Sequence, residues 1–410
     1  MRWSDSAAVR VALIVATIGT FASPPVTNVA VALALVLALA SQPMRARLVV
    51  AAGQPLGRAA LILLALMALA MTWADAAWRA RFDAWWNWRT MLLIVLTAAA
   101  FGDVRWKERF CLWLVAAVAI GAVASFAMWL ANVTTQEGYP GTLLRNHVTQ
   151  SMAMTCGVLI AAVLAAQPER SMRSRALLVA AALVCLANLV LVAAGRSGQV
   201  ALVVAALSAV FLMFRGWRRW RIVLVLLALA AGLAAASPML KQRFYLVARE
   251  APSLDCAGPE NSTGLRLLLW RTTGELIRAR PWFGYGVGGF MPAYAGEVQN
   301  HLRGEPLTGW CARPVHDPHN QFLRVTVEAG VLGLIAFLGL IAGAARQPAA
   351  QPYRTCGVAL LAAWCTTSLF NSHFQTFNEG HLIALLLGAL LAPDQAQAAS
   401  APSTAERTSS

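Results

Sequence analysis

Charge is what this sequence has least of. Only 12% of its 410 residues are charged and 59% are hydrophobic, roughly half the charge of an ordinary soluble domain. That shortage excludes a conventional water-soluble fold. Apolar runs of about 13 to 24 residues recur along nearly the whole chain, several of them close to the roughly 20 residues a helix needs to span a bilayer. Backbone groups in hydrocarbon must pair internally, so such runs should be helical. A single basic stripe is also missing. The net charge is +15, but the arginines stand in short blocks between apolar runs, which argues against a nucleic-acid partner and for a topology signal. No small-residue cleavage pattern follows the first apolar run, so it reads as a retained anchor. There is no short-period repeat, and the tail 393–410, rich in Ala, Gln, Ser and Thr, has no apolar run and reads as disordered.

What is present is a regular alternation. Twelve candidate spans fall at about 7–22, 26–40, 59–72, 89–101, 111–131, 148–166, 176–194, 199–214, 222–237, 321–345, 356–371 and 380–392. One set of alternating short loops, from Arg45 to Arg354, holds fifteen basic residues; the opposite set holds only Arg79, Arg81, Arg145 and Arg196. By the positive-inside rule the first set and both termini are cytoplasmic. The expected organisation is therefore 1–237 with nine membrane helices, a large periplasmic loop 238–320, three more helices in 321–392, and the cytoplasmic tail. Trp73, Trp78, Trp85, Trp86 and Trp88 cluster at one outer boundary, where interfacial anchoring accounts for them. Five of the seven cysteines lie in or beside apolar runs, as small buried thiols. Cys256 and Cys311 instead bracket the long polar loop, and in an oxidising compartment a disulfide between them would staple it.

Within that loop, 263–280 has leucines at helical spacing with arginines opposite, and should lie as an amphipathic helix on the membrane surface. Pro281 ends it. Gly284, Gly286, Gly288 and Gly289 then suit tight turns or close approach of backbone to a ligand, and a plain loop satisfies the same pattern. His316-Asp317-Pro318-His319-Asn320 stands directly before the apolar run that re-enters the membrane. A histidine there titrates near neutrality and can take a proton from a hydroxyl; a structural hydrogen-bonding role fits the local features equally. His316 and His319 lack a third ligand at zinc-binding spacing, so no metal is expected. Arg145 and Arg196 stand where lipid-facing charge is costly. They either snorkel to the interface or, with Arg266, meet phosphate oxygens that match the planar guanidinium.

His319-Asn320, nine residues, then Gly330-x-x-Gly333 resembles the signature of bacterial O-antigen ligases and of the superfamily they share with O-antigen polymerases and protein O-oligosaccharyltransferases. Arg266 with Trp270, then Pro281, Gly284, Gly286 and Gly288, resembles that family's outer-loop helix and turn, and Arg196-Ser197 the arginine opening an earlier span. The resemblance covers roughly 190–345, and Asp317-Pro318 departs from it. It implies an all-α polytopic membrane protein of the GT-C-like glycosyltransferase type. It also implies a bacterial inner-membrane enzyme acting at the periplasmic face, without cofactor or metal. The implied donor is O-antigen polysaccharide on undecaprenyl diphosphate, and the acceptor is a sugar hydroxyl of lipid A core. His319 would serve as general base, Arg196, Arg266 and Arg145 would bind diphosphate, and Asn320, Trp270, His316, Gly330 and Gly333 would support them. With the diphosphate already a good leaving group and no carboxylate placed as a nucleophile, a single inverting displacement is the expected step. A transporter would instead carry charges within its spans, which are nearly absent here.

Overall fold

A computed structural model describes residues 5–134, 138–144, 146–193, 196–236, 262–301 and 314–394. Among them the chain is all helical. In order the helices are α1 (Asp5–Ala22), α2 (Pro24–Ala40), α3 (Gln42–Gly53), α4 (Pro55–Ala70), α5 (Trp78–Trp86), α6 (Thr90–Ala100), α7 (Val104–Leu130) and α8 (His147–Ala165). They continue as α9 (Met172–Leu191), α10 (Arg196–Met213), α11 (Gly216–Ala236), α12 (Ser262–Ala279), α13 (Phe290–His301), α14 (Gln321–Arg346), α15 (Tyr353–Thr367) and α16 (Phe377–Leu391). Each of the twelve apolar runs falls mainly on one of these helices.

Their starts follow from local chemistry. Prolines occupy the first or second helical positions of α2, α3 and α4, where no backbone donor is needed. Asp103 caps α7 by accepting from the Arg105 N–H at 2.8 Å, and Asn146 caps α8 by accepting from the Thr149 N–H at 2.7 Å. Such side chains satisfy donors that the first turn leaves open.

By length and apolarity α7, α8, α9 and α14 can each cross a membrane, as can α2 and α3 together if their 105° bend is one broken span. Helices α1, α4, α10 and α16 are apolar but shorter. The segment after Ser41, read from its arginines as a connecting loop, is helical as α3. Small residues let the helices approach closely. A Cβ on Gly343 of α14 would come 2.8 Å from the Pro55 carbonyl of α4, and one on Gly388 of α16 would come 2.7 Å from the Ile94 carbonyl of α6.

The connections gather at two poles. At one, Gln347 accepts from the Leu56 N–H at 3.2 Å, Arg170 pairs with Glu108 at 2.8 Å, and Lys107 pairs with Asp394 at 3.1 Å. This pole carries the basic short loops. At the other, Val287 N–H donates to Ala70, Thr149 to Glu379 and Ser372 to Asp317, bringing together segments around 70–89, 138–149, 281–289, 314–321 and 368–379.

The tryptophan cluster at this second pole is not uniform. Trp78 and Trp86 are exposed, as anchors should be, but Trp88 is fully buried and the Trp73 indole donates to the Phe283 carbonyl at 3.0 Å. Helix α12 also departs from expectation. Its apolar face does not lie open to lipid: Leu269 and Leu276 are buried against Phe290 and Tyr294 of α13 and Val327 of α14. These two leucines are thereby docked on protein.

Candidate active site

Helix α14 is broken inside. Ala329 (φ −128°, ψ 15°) and Gly330 (φ 65°, ψ −162°) leave helical geometry, which releases the carbonyls of the preceding turn. The loop after α12 fills that gap. Tyr285 N–H donates to Val327 at 2.8 Å, Gly286 N–H to Glu328 at 2.9 Å, and Val331 N–H to the Pro281 carbonyl at 2.8 Å. The approach is backbone to backbone, so side chains must be absent. A Cβ on Gly330 would fall 2.0 Å from the Trp282 carbonyl oxygen, and one on Gly284 2.4 Å from the Val327 carbonyl oxygen. Behind the loop, a Cβ on Gly286 would meet Ala74 at 2.5 Å. The glycines therefore serve close packing of loop on helix; left-handed φ values of 65°, 81° and 89° at Gly284, Gly286 and Gly288 complete the turn.

This clasp fixes the start of α14, where His319 sits. Asn320 caps the helix, accepting from the N–H groups of Phe322 and Leu323 at 3.0 and 3.1 Å. His319 adopts a left-handed φ of 51°, held by its N–H donating to Asp317 Oδ1 at 2.8 Å. The same oxygen accepts from Ser372 Oγ at 2.7 Å, and the Pro318 carbonyl accepts from the Trp270 indole at 3.1 Å. The Asp317-Pro318 pair thus acquires a physical role: it ties the His319 turn to the 368–376 loop and to α12. His316 is exposed, and its carbonyl accepts from the Arg324 guanidinium, which also pairs with Glu328 at 2.8 Å.

Trp270 contacts Phe370 with ring centroids 6.0 Å apart. Arg266 lies one turn before Trp270 on α12, so the two share a face. Its Nε is buried without a hydrogen-bond partner among the described residues, and burial holds its pKa below the ordinary value. A guanidinium nitrogen buried without a partner suits an anionic ligand. Arg196 opens α10, whose first turn packs on α8: a Cβ on Gly198 would lie 2.4 Å from Ser151 Cβ, and Thr155 Oγ1 donates to the Gly198 carbonyl at 2.8 Å. Thr149, half a turn from Ser151, donates to Glu379 of α16 at 2.6 Å. The amino-terminal ends of α8, α10, α14 and α16 therefore meet at this pole, each adding partial positive charge. Arg145, Cys256 and Cys311 lie outside the described residues.

Two polar groups escaped the sequence reading. Gln150, Asn188 and Ser125 form a buried network across α8, α9 and α7, in which the Gln150 amide donates to Ser125 at 2.9 Å and to Asn188 at 3.2 Å. Gln150 Oε1 accepts from the N–H groups of Leu143 and Leu144, pinning the loop just before residue 145. The signal was there, as amides inside apolar runs. The other group is His373 with its neighbours, on a loop read only as a connection.

Residues 181–338 match the family model described as O-antigen ligase. Over that stretch the chain is similar to the O-antigen ligases. The matched stretch runs from α9 through the kink of α14, and contains Arg196, Arg266, Trp270, His319 and both glycines of the Gly330-x-x-Gly333 pattern. Candidate polysaccharide ligases of Rickettsia are similar over a shorter stretch. The protein from Rickettsia conorii is 36% identical over 81 residues, 20% of this chain and 19% of that protein. The one from Rickettsia prowazekii is 37% identical over 81 residues, with the same shares. The chain thus matches about a fifth of the length of these curated relatives.

Proposed function

We propose that this protein is a membrane glycosyltransferase that moves O-antigen polysaccharide from undecaprenyl diphosphate to a sugar hydroxyl of lipid A core. The observation that carries the reading is the His319 turn at the mouth of α14. The Trp270 indole ties it to α12, which carries Arg266 one turn earlier, at a pole where four helix amino-termini converge, inside the stretch similar to O-antigen ligases.

Lipid diphosphate departs with its own negative charge, so the enzyme needs to neutralise that charge and deprotonate the acceptor. Arg266 and Arg196, with Arg145, bind the diphosphate; the helix termini add to the field. His319 accepts the acceptor hydroxyl proton as the oxygen attacks the anomeric carbon and the diphosphate leaves from the opposite side, inverting the centre. His316, Asn320, Trp270 and the two glycines hold the turn. The reaction draws on no metal. All twelve apolar helices cross the bacterial inner membrane in this reading, with the basic pole and both termini cytoplasmic and loop 238–320 periplasmic. The naming of the Rickettsia relatives as polysaccharide ligases favours a ligase over a polymerase or a protein transferase.

Reconstitution with lipid-linked glycan and rough lipopolysaccharide tests this. Polysaccharide-bearing lipopolysaccharide should form with wild-type protein and fail to form with His319→Ala, which should still insert. Near-normal product from His319→Ala would remove the base assignment, and no product from wild type would remove the transferase reading.

A further inference from the structure

Behind the His319 turn the structure holds a group of buried polar atoms that the transfer chemistry above does not use. His373, on the loop between α15 and α16, is 2% exposed, yet neither ring nitrogen has a hydrogen-bond partner among the described residues. The same is true of Gln321 Nε2, Ser368 Oγ and Asn378 Oδ1. Gln321, Ser368 and the His373 loop share one wall: the Gln321 N–H donates to the Ser368 carbonyl at 2.8 Å, and Gln321 Oε1 accepts from the Phe374 N–H at 3.1 Å. A buried polar atom left dry costs on the order of 1–3 kcal/mol. Several in one place call for internal water, which bonds to such groups when enough of them converge.

The charged groups facing His373 are Asp317, from the turn before α14, and Glu379 of α16. Helix α14 adds Arg324 and Glu328, paired with each other, and α8 adds the Thr149 hydroxyl, bound to Glu379, with the titratable His147 at its first position. Asp317 is the carboxylate that holds the His319 N–H, and Ser372, the residue before His373, donates to the same oxygen. A positive charge on His373 would therefore compete for the group that shapes the His319 turn.

We propose that His373 is a positioning residue for the transfer reaction, which in its neutral form, solvated by internal water, leaves Asp317 to hold His319 in its left-handed turn, and in its protonated form draws Asp317 away. The inference rests on the transferase reading. Burial, which keeps the His373 pKa below its ordinary value against the opposing pull of Glu379 and Asp317, agrees with a neutral working state.

The test is the acid limb of the rate in the reconstituted system. With both His319 and His373 required neutral, log kcat should fall with a limiting slope of about two as pH drops. His373→Gln, which cannot take up the proton, should reduce that slope to about one while leaving KM for the lipid-linked donor unchanged. Asp317→Asn, which keeps an oxygen for the His319 N–H but removes the charge, should also bring the slope to about one. A slope of one in wild-type protein, or an unchanged slope of two in either variant, would overturn the proposal while leaving the transferase reading in place. Wild-type protein that transfers nothing would overturn both.

Discussion

Replacing Gly330 with alanine tests whether the clasp between α14 and the 281–289 loop holds the site together. The added methyl would sit 2.0 Å from the Trp282 carbonyl oxygen and 2.5 Å from the Phe283 nitrogen, both backbone atoms that cannot swing aside. The backbone at Gly330, with φ of 65° and ψ of −162°, lies in a region open essentially to glycine, and forcing another residue there costs about 1–3 kcal/mol. The loop must therefore move off, giving up the bonds of Tyr285, Gly286 and Val331, each a net contribution of about 1 kcal/mol. The combined penalty is on the order of 4 kcal/mol, enough to leave the clasp mostly open. Hydrogen exchange of the 281–289 amides in detergent reads this directly, with transfer activity measured alongside. Gly274→Ala is the control, because nothing lies within 4 Å of its added carbon. The expectation is fast exchange and lost transfer in Gly330→Ala, with both retained in Gly274→Ala. Slow exchange and full activity in Gly330→Ala would refute the clasp.

Arg266→Ala should raise KM for the lipid-linked donor, and Arg266→Lys should restore it only in part, because an ammonium lacks the planar fork; donor kinetics unchanged in Arg266→Ala would contradict diphosphate binding. Gln150→Leu should lower thermal stability by on the order of 1–3 kcal/mol, since it strands the amides of Leu143 and Leu144 and the partners Ser125 and Asn188, and an unshifted melting temperature would argue against the network. His373 has its pKa lowered by burial, so the unfolded chain binds the proton more tightly than the folded one. Its contribution to stability is full above the unfolded value of about 6.5 and is lost as pH falls towards the lower folded value. Melting temperature should accordingly drop between neutral and mildly acidic pH, and drop less in His373→Gln; parallel curves would count against it.

The helices were legible because apolar runs of this length leave the backbone no alternative to helix, and the amphipathic spacing of 263–280 marks α12 within a residue at each end. What α12 packs against was not legible. Periodicity shows that a face is apolar, and lipid and the side chains of Phe290 and Val327 satisfy that face equally well. The glycines after Pro281 pose a similar problem. Their freedom of φ is visible in the sequence, but their partner is a kink about forty-five residues further on, which only long-range contacts reveal. His373, and the loop that Asp317 binds, had no local signal, because the Ser372–Asp317 bond brings together two loops more than fifty residues apart. Gln150 and Asn188 could have been found by asking why an amide sits inside an apolar run.

The interlock of Pro281, Tyr285 and Gly286 with Val327, Glu328 and Val331 also bears on engineering. A chimera that exchanges the loop before α14 between related chains would separate two surfaces that shape each other. The exchangeable unit is the block 281–333, crossing from the loop into α14, and grafts cut at the start of that helix near Gln321 should misassemble.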